Sequence, residues 1–386
     1  MDKKRKICVV ITARPSYSRI KTALTAIQNH PDLELQIVAA ASLLLDQYGR
    51  AIDHIRNDGF HVDAQVYMIL EGENLVTSAK TTGLGLIEIS TVLDNLKPDI
   101  VVTIADRYET IATAISAAYM NIPLAHIQGG EITGSIDDKV RHAITKLSDY
   151  HLVASQNAAE RVLRLGEEKE RVFISGCPSI DIARQVLEDP GEAIDPFEKY
   201  GGVGSRVDLS NGYIVVMQHP VTTEYQDGRR QITETLFAVK ELGMPALWFW
   251  PNVDAGSDLV SKGIRAFREN QTPQNIHFFK DIPPLDFLRL INRSRCLVGN
   301  SSVAIRECSY MGVPAVNIGT RESGRDRGPN VIDVGYNREE IGNSIREHLT
   351  RGIARQVELY GDGYAGEKIA NILAQVPLVT HKRITY

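Results

Sequence analysis

Cysteine is scarce in this sequence of 386 residues, and its four thiols lie far apart, at Cys8, Cys177, Cys296 and Cys308. No two of them form a C-x-x-C pair, so the sequence offers neither a structural zinc site nor a redox-active dithiol. Four isolated cysteines are also too few for the disulfide framework of a secreted protein. We therefore expect reduced thiols and a cytoplasmic protein.

The sequence also lacks a large excess of either positive or negative residues. The 43 lysines and arginines are opposed by 48 aspartates and glutamates, which leaves a net charge of −5. Proteins that bind nucleic acid or an anionic membrane usually present a basic surface. We therefore expect no nucleic-acid partner and no membrane partner.

The sequence contains no long hydrophobic run. The apolar segment Ile7–Ala13 is cut after 7 residues by Arg14 and Pro15, whereas a membrane-spanning helix needs about 18 or more apolar residues. No convincing signal-peptide cleavage site follows this segment. Its β-branched residues predict the first buried strand of a soluble fold.

Short segments rich in β-branched residues alternate with longer helical patterns along most of the chain. This alternation indicates βαβ units, parallel sheets and an α/β fold. Proline, glycine and aspartate interrupt the pattern over residues 189–211, as is typical of a linker. We predict a Rossmann-like N-terminal domain over 1–188, the linker 189–211, and a second Rossmann-like domain over 212–365. The segment 366–386 is predicted to be a helix and a tail, whose packing on the first domain the sequence leaves open.

The turn after the first strand lacks the G-x-G-x-x-G pattern of dinucleotide-binding folds, which argues against an NAD enzyme. Its place is taken by Ala13-Arg-Pro-Ser-Tyr-Ser18. Arg14 supplies a fixed cation with bidentate geometry, and Ser18 lies near a helix N-terminus, where backbone N–H groups favour anions. Both are candidate substrate ligands, although an ordinary helix start and a surface arginine would show the same pattern.

Proton-handling residues gather in the loops after the fourth and fifth predicted strands. Asp106 and Arg107 follow one strand, and the next strand runs into His126-Ile-Gln-Gly-Gly-Glu131 and then Asp137. Because the carboxyl ends of parallel strands meet at one edge of a sheet, we expect these groups to converge. Helix capping would explain one of the acids but not all of them. We predict the acids and His126 as catalytic candidates and Arg107 as a substrate ligand.

In the second domain, polar side chains again follow predicted strands. His219 comes directly after one strand, where an imidazole can donate to a phosphate. Asn252 and Asp254 follow the next strand. We predict all three as substrate-binding residues.

The segment Gly299-Asn-Ser-Ser302 joins a buried strand to a predicted helix, and Glu307 lies further along that helix. A helix N-terminus favours a diphosphate, and a carboxylate at this distance suits the paired hydroxyls of a ribose. Capping alone would explain Ser301 and Ser302. It would not explain Glu307, or Arg321 in the basic loop after the next strand.

These segments resemble the hydrolysing UDP-N-acetylglucosamine 2-epimerases of sialic-acid-type sugar biosynthesis, and the resemblance covers almost the whole chain. It is carried by Asp106-Arg-Tyr108, His126-Ile-Gln-Gly-Gly-Glu131, the segment from Gly134 to Lys146, Gln218-His-Pro-Val-Thr-Thr223, Pro251-Asn-Val-Asp-Ala-Gly-Ser257, Gly299-Asn-Ser-Ser302 and Gly319-Thr-Arg321. The resemblance implies a GT-B fold and the conversion of UDP-GlcNAc and water into N-acetylmannosamine and UDP. The implied route is anti elimination of UDP to a glycal, followed by hydration. We expect a UDP-sugar as the ligand, a homodimer or homotetramer, and neither metal nor cofactor.

The resemblance also implies roles for individual residues. By position, the family's nucleotide-binding residues are matched by Arg14, Ser18, His219, Asn252, Ser301, Ser302, Glu307 and Arg321. Its catalytic acids are matched by Asp106 and Asp137.

The sequence departs from the family at three positions. Gln128 stands where the family often has a glutamate, and an amide cannot take a proton at neutral pH. We predict Gln128 as a catalytic-site residue whose role is reduced to a hydrogen bond, and we expect Glu131 to have taken over the missing role. Leu43 and Ile104 each stand where the animal enzyme has a histidine, which predicts a more apolar sugar pocket.

Other functions are compatible with these residues. An apolar pocket would suit the same reaction on UDP-2,4-diacetamido-2,4,6-trideoxyglucose. The non-hydrolysing 2-epimerases are related, but they have a different sequence in the region that corresponds to residues 129–138. This difference favours the hydrolysing branch. A GT-B glycosyltransferase, or a nucleotide-sugar sensor that has lost turnover, would share the fold and much of the nucleotide site.

Overall fold

The computed structural model of the chain describes residues 3–46, 50–71, 75–104, 107–132, 136–251 and 256–385. The chain forms two compact units. The first comprises Met1–Glu131, Ile136–Asp181 and Tyr360–Tyr386, and the second comprises Ile132–Ser135 and Ile182–Leu359. Residues 182–211, which include the predicted linker, therefore belong to the second unit, and residues 360–365 belong to the first. The domain limits inferred from the sequence stay predictions.

Strands and helices alternate along the described residues. The strands are β1 (Arg5–Ile11), β2 (Leu33–Ala40), β3 (Ala64–Val66), β4 (Ile100–Ile104), β5 (Leu124–Ile127), β6 (Tyr150–Val153), β7 (Val172–Ile174), β8 (Val203–Gly204), β9 (Ile214–Met217), β10 (Ala246–Phe249), β11 (Ile276–Phe279), β12 (Cys296–Gly299), β13 (Ala315–Ile318) and β14 (Val331–Val334). The helices are α1 (Arg14–Asn29), α2 (Ala51–Asn57), α3 (Leu75–Leu96), α4 (Ile111–Tyr119), α5 (Ile136–Leu147), α6 (Gln156–Arg164), α7 (Pro178–Glu188), α8 (Pro196–Tyr200), α9 (Gly228–Leu242), α10 (Ser257–Gln271), α11 (Pro284–Arg293), α12 (Glu307–Met311), α13 (Arg338–Arg351) and α14 (Ala365–Gln375).

Each unit is built on a sheet of seven strands. The first sheet has the order β3-β2-β1-β4-β5-β6-β7 and the second has the order β14-β13-β12-β9-β10-β11-β8. The pairs are parallel except that β8 runs antiparallel to β11. The predicted α/β class with two Rossmann-like parallel sheets is confirmed.

The first sheet is buried on both faces because its strands are apolar throughout. On β1, Ile7, Val9 and Ile11 belong to a core on one face, and Cys8 and Val10 belong to a separate core on the other. This division follows from the alternation of side chains along a strand. Helices α1 and α14 supply apolar residues to the first core, and α3, α4 and α5 supply them to the second.

The chain returns to the first unit through α14, which packs against α1. A Cβ on Gly366 would lie 2.7 Å from the main chain of Thr22, so only glycine permits this close approach. Asp181 caps α14, because its carboxylate accepts hydrogen bonds from the N–H groups of Ala365 and Gly366, each at 2.8 Å. The C-terminal helix is therefore an integral part of the first unit.

The helices of the described residues give no sign of a membrane span. None of them combines the length and the apolar composition that crossing a bilayer requires.

Candidate active site

In both sheets the strand order reverses at one point, and open parallel sheets usually bind ligands at the carboxyl ends of the strands there. In the first sheet the reversal lies between β1 and β4, and in the second between β9 and β12. Arg14 lies just after β1, and Arg107 lies in the loop after β4. In the second sheet, His219 lies just after β9 and Ser301 just after β12. Four of the predicted site residues thus lie at the reversal points of their own sheets.

Arg14 is the first residue of α1, and Pro15 lies in the first turn of this helix. Proline is tolerated there because the first N–H groups of a helix have no partner within it. Ala13 precedes the helix in an extended conformation and provides no side-chain cap. Ser18 lies one turn further and is half-buried. Of the two predicted ligands, Arg14 is the one at the start of the helix.

Arg107 is held by a buried acid that the sequence analysis did not single out. Its Nε donates to Glu109 Oε1 at 2.8 Å, and the exposed fractions of the two side chains are 27% and 1%. The second oxygen, Glu109 Oε2, is buried and has no hydrogen-bond partner among the described residues. Asp106, the neighbouring catalytic candidate, lies outside the described residues.

His126 is completely buried within β5. It pairs in register with Thr103 of β4 and His151 of β6, so the three side chains form a polar row on one face of the sheet. Its Nδ1 lies 3.3 Å from Thr145 Oγ1 on α5. A Cβ on Gly129 would lie 2.9 Å from this nitrogen, so glycine leaves room for the ring.

Gln128 turns into the protein interior. Its backbone has a left-handed φ of 66°, which is uncommon outside glycine. Its Nε2 donates to Cys177 Sγ at 2.8 Å, and both side chains are buried. Its main-chain N–H donates to Leu152 O at 2.9 Å. The amide is thus anchored at both its backbone and its side chain.

Glu131 is buried, and its loop is tied to α5. The Glu131 carbonyl accepts a hydrogen bond from Arg141 Nη1 at 2.7 Å, and the same nitrogen lies 2.6 Å from Asp138 Oδ1. Asp137, the residue before Asp138, belongs to α5, but its side chain lies outside the described residues. The structure therefore locates one of the three predicted acids, Glu131, in full.

In the second unit, an asparagine fixes the loop that carries His219. The His219 N–H donates to Asn300 Oδ1 at 2.6 Å, and Asn300 Nδ2 donates back to His219 O at 2.9 Å. Both side chains are buried. One side chain thus joins the loops after β9 and β12. Asn252 and Asp254, predicted in the next loop, lie outside the described residues.

The prediction that Ser301 and Ser302 open one helix containing Glu307 is wrong. Residues Ser302–Ala304 form a single 3₁₀ turn, and a separate short helix, α12, begins only at Glu307. Arg306 separates the two, with φ −93° and ψ −73°, and its Nη2 turns back to donate to Ser302 Oγ at 2.6 Å. Ser301 Oγ caps the turn by accepting from Val303 N at 3.4 Å. A turn this short contributes little helix dipole, so an anion here would depend on individual donors.

Glu307 opens α12 with a buried side chain. Its Oε2 is shielded from solvent and has no hydrogen-bond partner in the described part of the chain. A buried carboxylate oxygen without a partner is costly. Glu307 therefore has the property expected of a residue that completes its hydrogen bonds with a ligand.

Arg321, in the loop after β13, is held from two sides. Its Nη1 donates to Asn300 O at 3.1 Å and to Glu322 Oε1 at 2.8 Å. The other oxygen of Glu322 lies 2.9 Å from Arg325 Nε. No sequence signal marks Glu322 and Asn300 as site residues, because a carboxylate beside an arginine and an asparagine beside two serines look like ordinary loop residues.

The expectation of an apolar sugar pocket lined by Leu43 and Ile104 is wrong. Both side chains are buried in the core that packs against α1 and α14. They replace polar family residues by joining the core, so they provide no wall for a ligand. Among the described residues, no group of three or more His, Cys, Asp or Glu side chains is placed to hold a metal ion.

Comparison with known proteins agrees with this arrangement. Residues 25–374 match the family model for UDP-N-acetylglucosamine 2-epimerase. UDP-N,N'-diacetylbacillosamine 2-epimerase (hydrolyzing) of Legionella pneumophila is 30% identical over 97% of this chain and 97% of the relative. UDP-N-acetylglucosamine 2-epimerase of Neisseria meningitidis is 30% identical over 90% of this chain and 88% of the relative. The crystal structure of UDP-GlcNAc 2-epimerase from Neisseria meningitidis bound to UDP-GlcNAc gives a TM-score of 0.78 at 18% identity, over 96% of this chain and 100% of that chain. This likeness confirms the predicted GT-B fold.

Proposed function

We propose, since the chain belongs to the UDP-N-acetylglucosamine 2-epimerase family, that it is a hydrolysing 2-epimerase of a UDP-2-acetamido sugar. The predicted resemblance to the UDP-N-acetylglucosamine 2-epimerase family is confirmed, and the hydrolysing reaction is our proposal. The first candidate substrate is UDP-GlcNAc, which would yield N-acetylmannosamine and UDP. In the reaction the C2–H and C1–O bonds break to give a glycal and UDP, and water then adds across C1 and C2 with inversion at C2.

The observation that carries the proposal is the buried, unpartnered oxygen of Glu307 in the second unit. The two hydroxyls of a ribose would supply the donors that Glu307 Oε2 lacks. Ser301 and Ser302 lie in the preceding 3₁₀ turn, and their hydroxyl groups are suited to a phosphate. A nucleoside diphosphate thus satisfies the Glu307 carboxylate and the serine hydroxyls together.

Departure of UDP requires positive charge and hydrogen-bond donors for the developing diphosphate. Arg321 and His219 supply them from the loops after β13 and β9. Arg14 and Arg107 are the corresponding cations at the edge of the first sheet. We assign these four residues to the diphosphate and the sugar.

Removal of the weakly acidic C2 proton requires a carboxylate. We assign Asp106 and Asp137 as the essential acids, and Glu131 to the role of the glutamate that Gln128 replaces. Gln128 cannot act as a base because its side chain is an amide, and its Nε2 is engaged by Cys177 Sγ.

The hydrolysing reaction is supported by the Legionella relative, which is a hydrolysing epimerase of UDP-N,N'-diacetylbacillosamine. This relative also favours that sugar as a second candidate substrate. This sugar is a 2,4-diacetamido-2,4,6-trideoxy derivative. The Neisseria relative, equally identical, favours UDP-GlcNAc. Leu43 and Ile104 no longer argue for either substrate.

The test is to incubate the purified protein with each UDP-sugar separately, without an acceptor, and to follow the products by NMR. Release of UDP together with a free, C2-inverted sugar is expected for one of them. A UDP-linked epimer without free UDP would instead indicate the non-hydrolysing reaction. UDP-sugar binding without turnover would indicate a sensor, and turnover only with an added acceptor would indicate a glycosyltransferase.

A further inference from the structure

We propose that Glu322 is a positioning residue, which holds the Arg321 guanidinium at the place where the diphosphate of a bound UDP-sugar lies. Glu322 itself does not touch the ligand. This inference rests on the proposed function, since it assumes that Arg321 binds the diphosphate.

Arg321 and Glu322 differ in their exposure to solvent, which suggests that the arginine binds the ligand and the glutamate positions the arginine. The exposed fraction of Glu322 is 2%, whereas that of Arg321 is 26%, and Nη1 of the arginine lies 2.8 Å from the glutamate oxygen. The carboxylate therefore lies inside the protein, and the guanidinium extends from it toward the carboxyl edge of the second sheet. Only the arginine is available to a ligand.

A second arginine also contacts the Glu322 carboxylate. Arg325 is buried, and its Nε lies 2.9 Å from Glu322 Oε2. One buried carboxylate thus contacts two guanidinium groups, of which Arg325 is buried and Arg321 is partly exposed. The bidentate geometry of the exposed arginine suits the oxygens of a diphosphate.

Arg321 is also fixed to the neighbouring loop. Its Nη1 donates to Asn300 O at 3.1 Å, and the Asn300 side chain exchanges two hydrogen bonds with the main chain of His219. Glu322 and Asn300 therefore hold Arg321 and His219 in one rigid frame before a ligand arrives. An arginine side chain that is ordered in advance loses less conformational entropy on binding.

The test is a double-mutant cycle on UDP binding, measured by calorimetry with UDP as the probe. Glu322→Gln keeps an oxygen acceptor but removes the charge, and Arg321→Met removes the guanidinium. We expect Glu322→Gln to weaken UDP binding about tenfold in the otherwise unchanged protein, within the range measured for coupled neighbours. In the Arg321→Met background the same change should have almost no effect.

Glu241→Gln provides the matched control, because Glu241 also pairs with an arginine, Arg338, but lies on α9, outside the site loops. It should leave UDP binding unchanged. If Glu322→Gln does not fold, Glu322→Asp replaces it in the cycle, since it keeps the charge but shortens the side chain by one methylene group.

Two results would overturn the inference while leaving the proposed function intact. One is unchanged UDP affinity in the Glu322 variant, and the other is an equal loss of affinity with and without Arg321, as a purely structural role would give. If the unmodified protein binds no UDP, the proposed function itself fails, and the positioning role fails with it.

Discussion

Both units hold a half-exposed arginine by a buried glutamate at the carboxyl edge of the sheet, but they differ in how the remaining polar groups are arranged. Arg107 pairs with Glu109 in the first unit and Arg321 pairs with Glu322 in the second, each at 2.8 Å. In the second unit, Asn300 extends the pair to a neighbouring loop. This edge has the features of a preorganised binding surface.

In the first unit, the loop that carries Glu131 is instead tied to α5, because Arg141 Nη1 donates to the Glu131 carbonyl at 2.7 Å. Glu109 Oε2 and the hydroxyl groups of Thr103, Thr110 and Thr113 are buried there without hydrogen-bond partners in the described part of the chain. Polar groups left unsatisfied in the interior occur where a structure serves chemistry more than stability. Such groups also occur in the second unit, Glu307 Oε2 among them. The proposed division, in which the second unit binds the nucleotide and the first performs the proton transfers, therefore depends on the acids and cations of each sheet edge.

The largest predicted effect is a loss of turnover, without a loss of UDP binding, when an acid of the first unit is replaced. Asp106→Asn, Glu131→Gln and Asp137→Asn should each lower turnover about 10²- to 10⁴-fold, as removal of a general acid or base does. UDP affinity and thermal stability should stay near those of the unmodified protein, because each change keeps the shape of the side chain. Turnover would be followed by UDP release and affinity by calorimetry.

One pattern would contradict the role given to Glu131. If Glu131→Gln kept nearly full turnover while Gln128→Ala abolished it, the glutamate would not have replaced the missing family residue. The amide of Gln128, held by Cys177, would then have a function of its own.

The next effect should appear in binding and belongs to the second unit. Glu307→Ala should weaken UDP binding by about 1.5–3 kcal/mol, the usual value of hydrogen bonds to a charged group. Calorimetry with UDP measures this directly, and Glu347→Ala, which removes an exposed acid on α13, is the matched control. Unchanged affinity after Glu307→Ala would remove the main support for nucleotide binding by this unit.

A smaller effect should come from the contact between Thr145 and His126. Thr145→Val keeps the volume of the side chain but removes the hydroxyl, and should destabilise the first unit by about 0.5–1.5 kcal/mol. Turnover should fall as well, because His126 loses a neighbour that orients its ring. Thr145→Ser, which restores a hydroxyl group, should recover most of the loss. Thermal unfolding measures the change in stability, and UDP release measures the change in turnover. Equal behaviour of the valine and serine variants would show that the hydroxyl has no role.

A further effect appears only at low pH and concerns acid stability, and its source lies in the first unit. Glu167 is buried beside His151, Lys146 and Lys382. Burial alone would raise the pKa of Glu167, but the hydrogen bonds from these three residues outweigh burial and lower the pKa to about 2. Burial lowers the pKa of His151.

The signs of these two shifts agree. A glutamate with a lowered pKa stabilises the fold above its unfolded value of about 4.3, and this contribution is lost as the pH falls toward 2. A histidine with a lowered pKa must gain a proton against its burial as the pH falls below about 6.5, which also destabilises the fold. Acid should therefore lower the melting temperature, and Glu167→Gln should flatten this dependence below pH 4.5. An unchanged pH profile in this variant would contradict the assignment.

The sequence predicts the strand ends well, because runs of β-branched residues mark parallel strands, whereas the site residues at the carboxyl ends of these strands stay predictions. The sequence fails at Leu43 and Ile104. An apolar residue that packs in the core between the sheet and two helices looks the same in the sequence as one that lines a pocket. The sequence also fails at Ser302, because the break between the 3₁₀ turn and α12 falls at Arg306, where no glycine or proline signals it.

Supporting residues are harder still to predict. Glu109, Glu322 and Asn300 act on partners that only the folded chain reveals. An acid one or two positions after a candidate arginine is the one signal that the sequence offers, and it is too common to be used alone.

The most direct measurement of hydrolysis with inversion at C2 is NMR of the reaction with UDP-GlcNAc in D₂O, repeated with UDP-N,N'-diacetylbacillosamine. For the true substrate we expect equal amounts of UDP and free 2-epimeric sugar, with deuterium at C2 of the product. Release of UDP with an unchanged configuration and a protonated C2 would contradict elimination and hydration. Failure to release UDP from either sugar would contradict the proposed function.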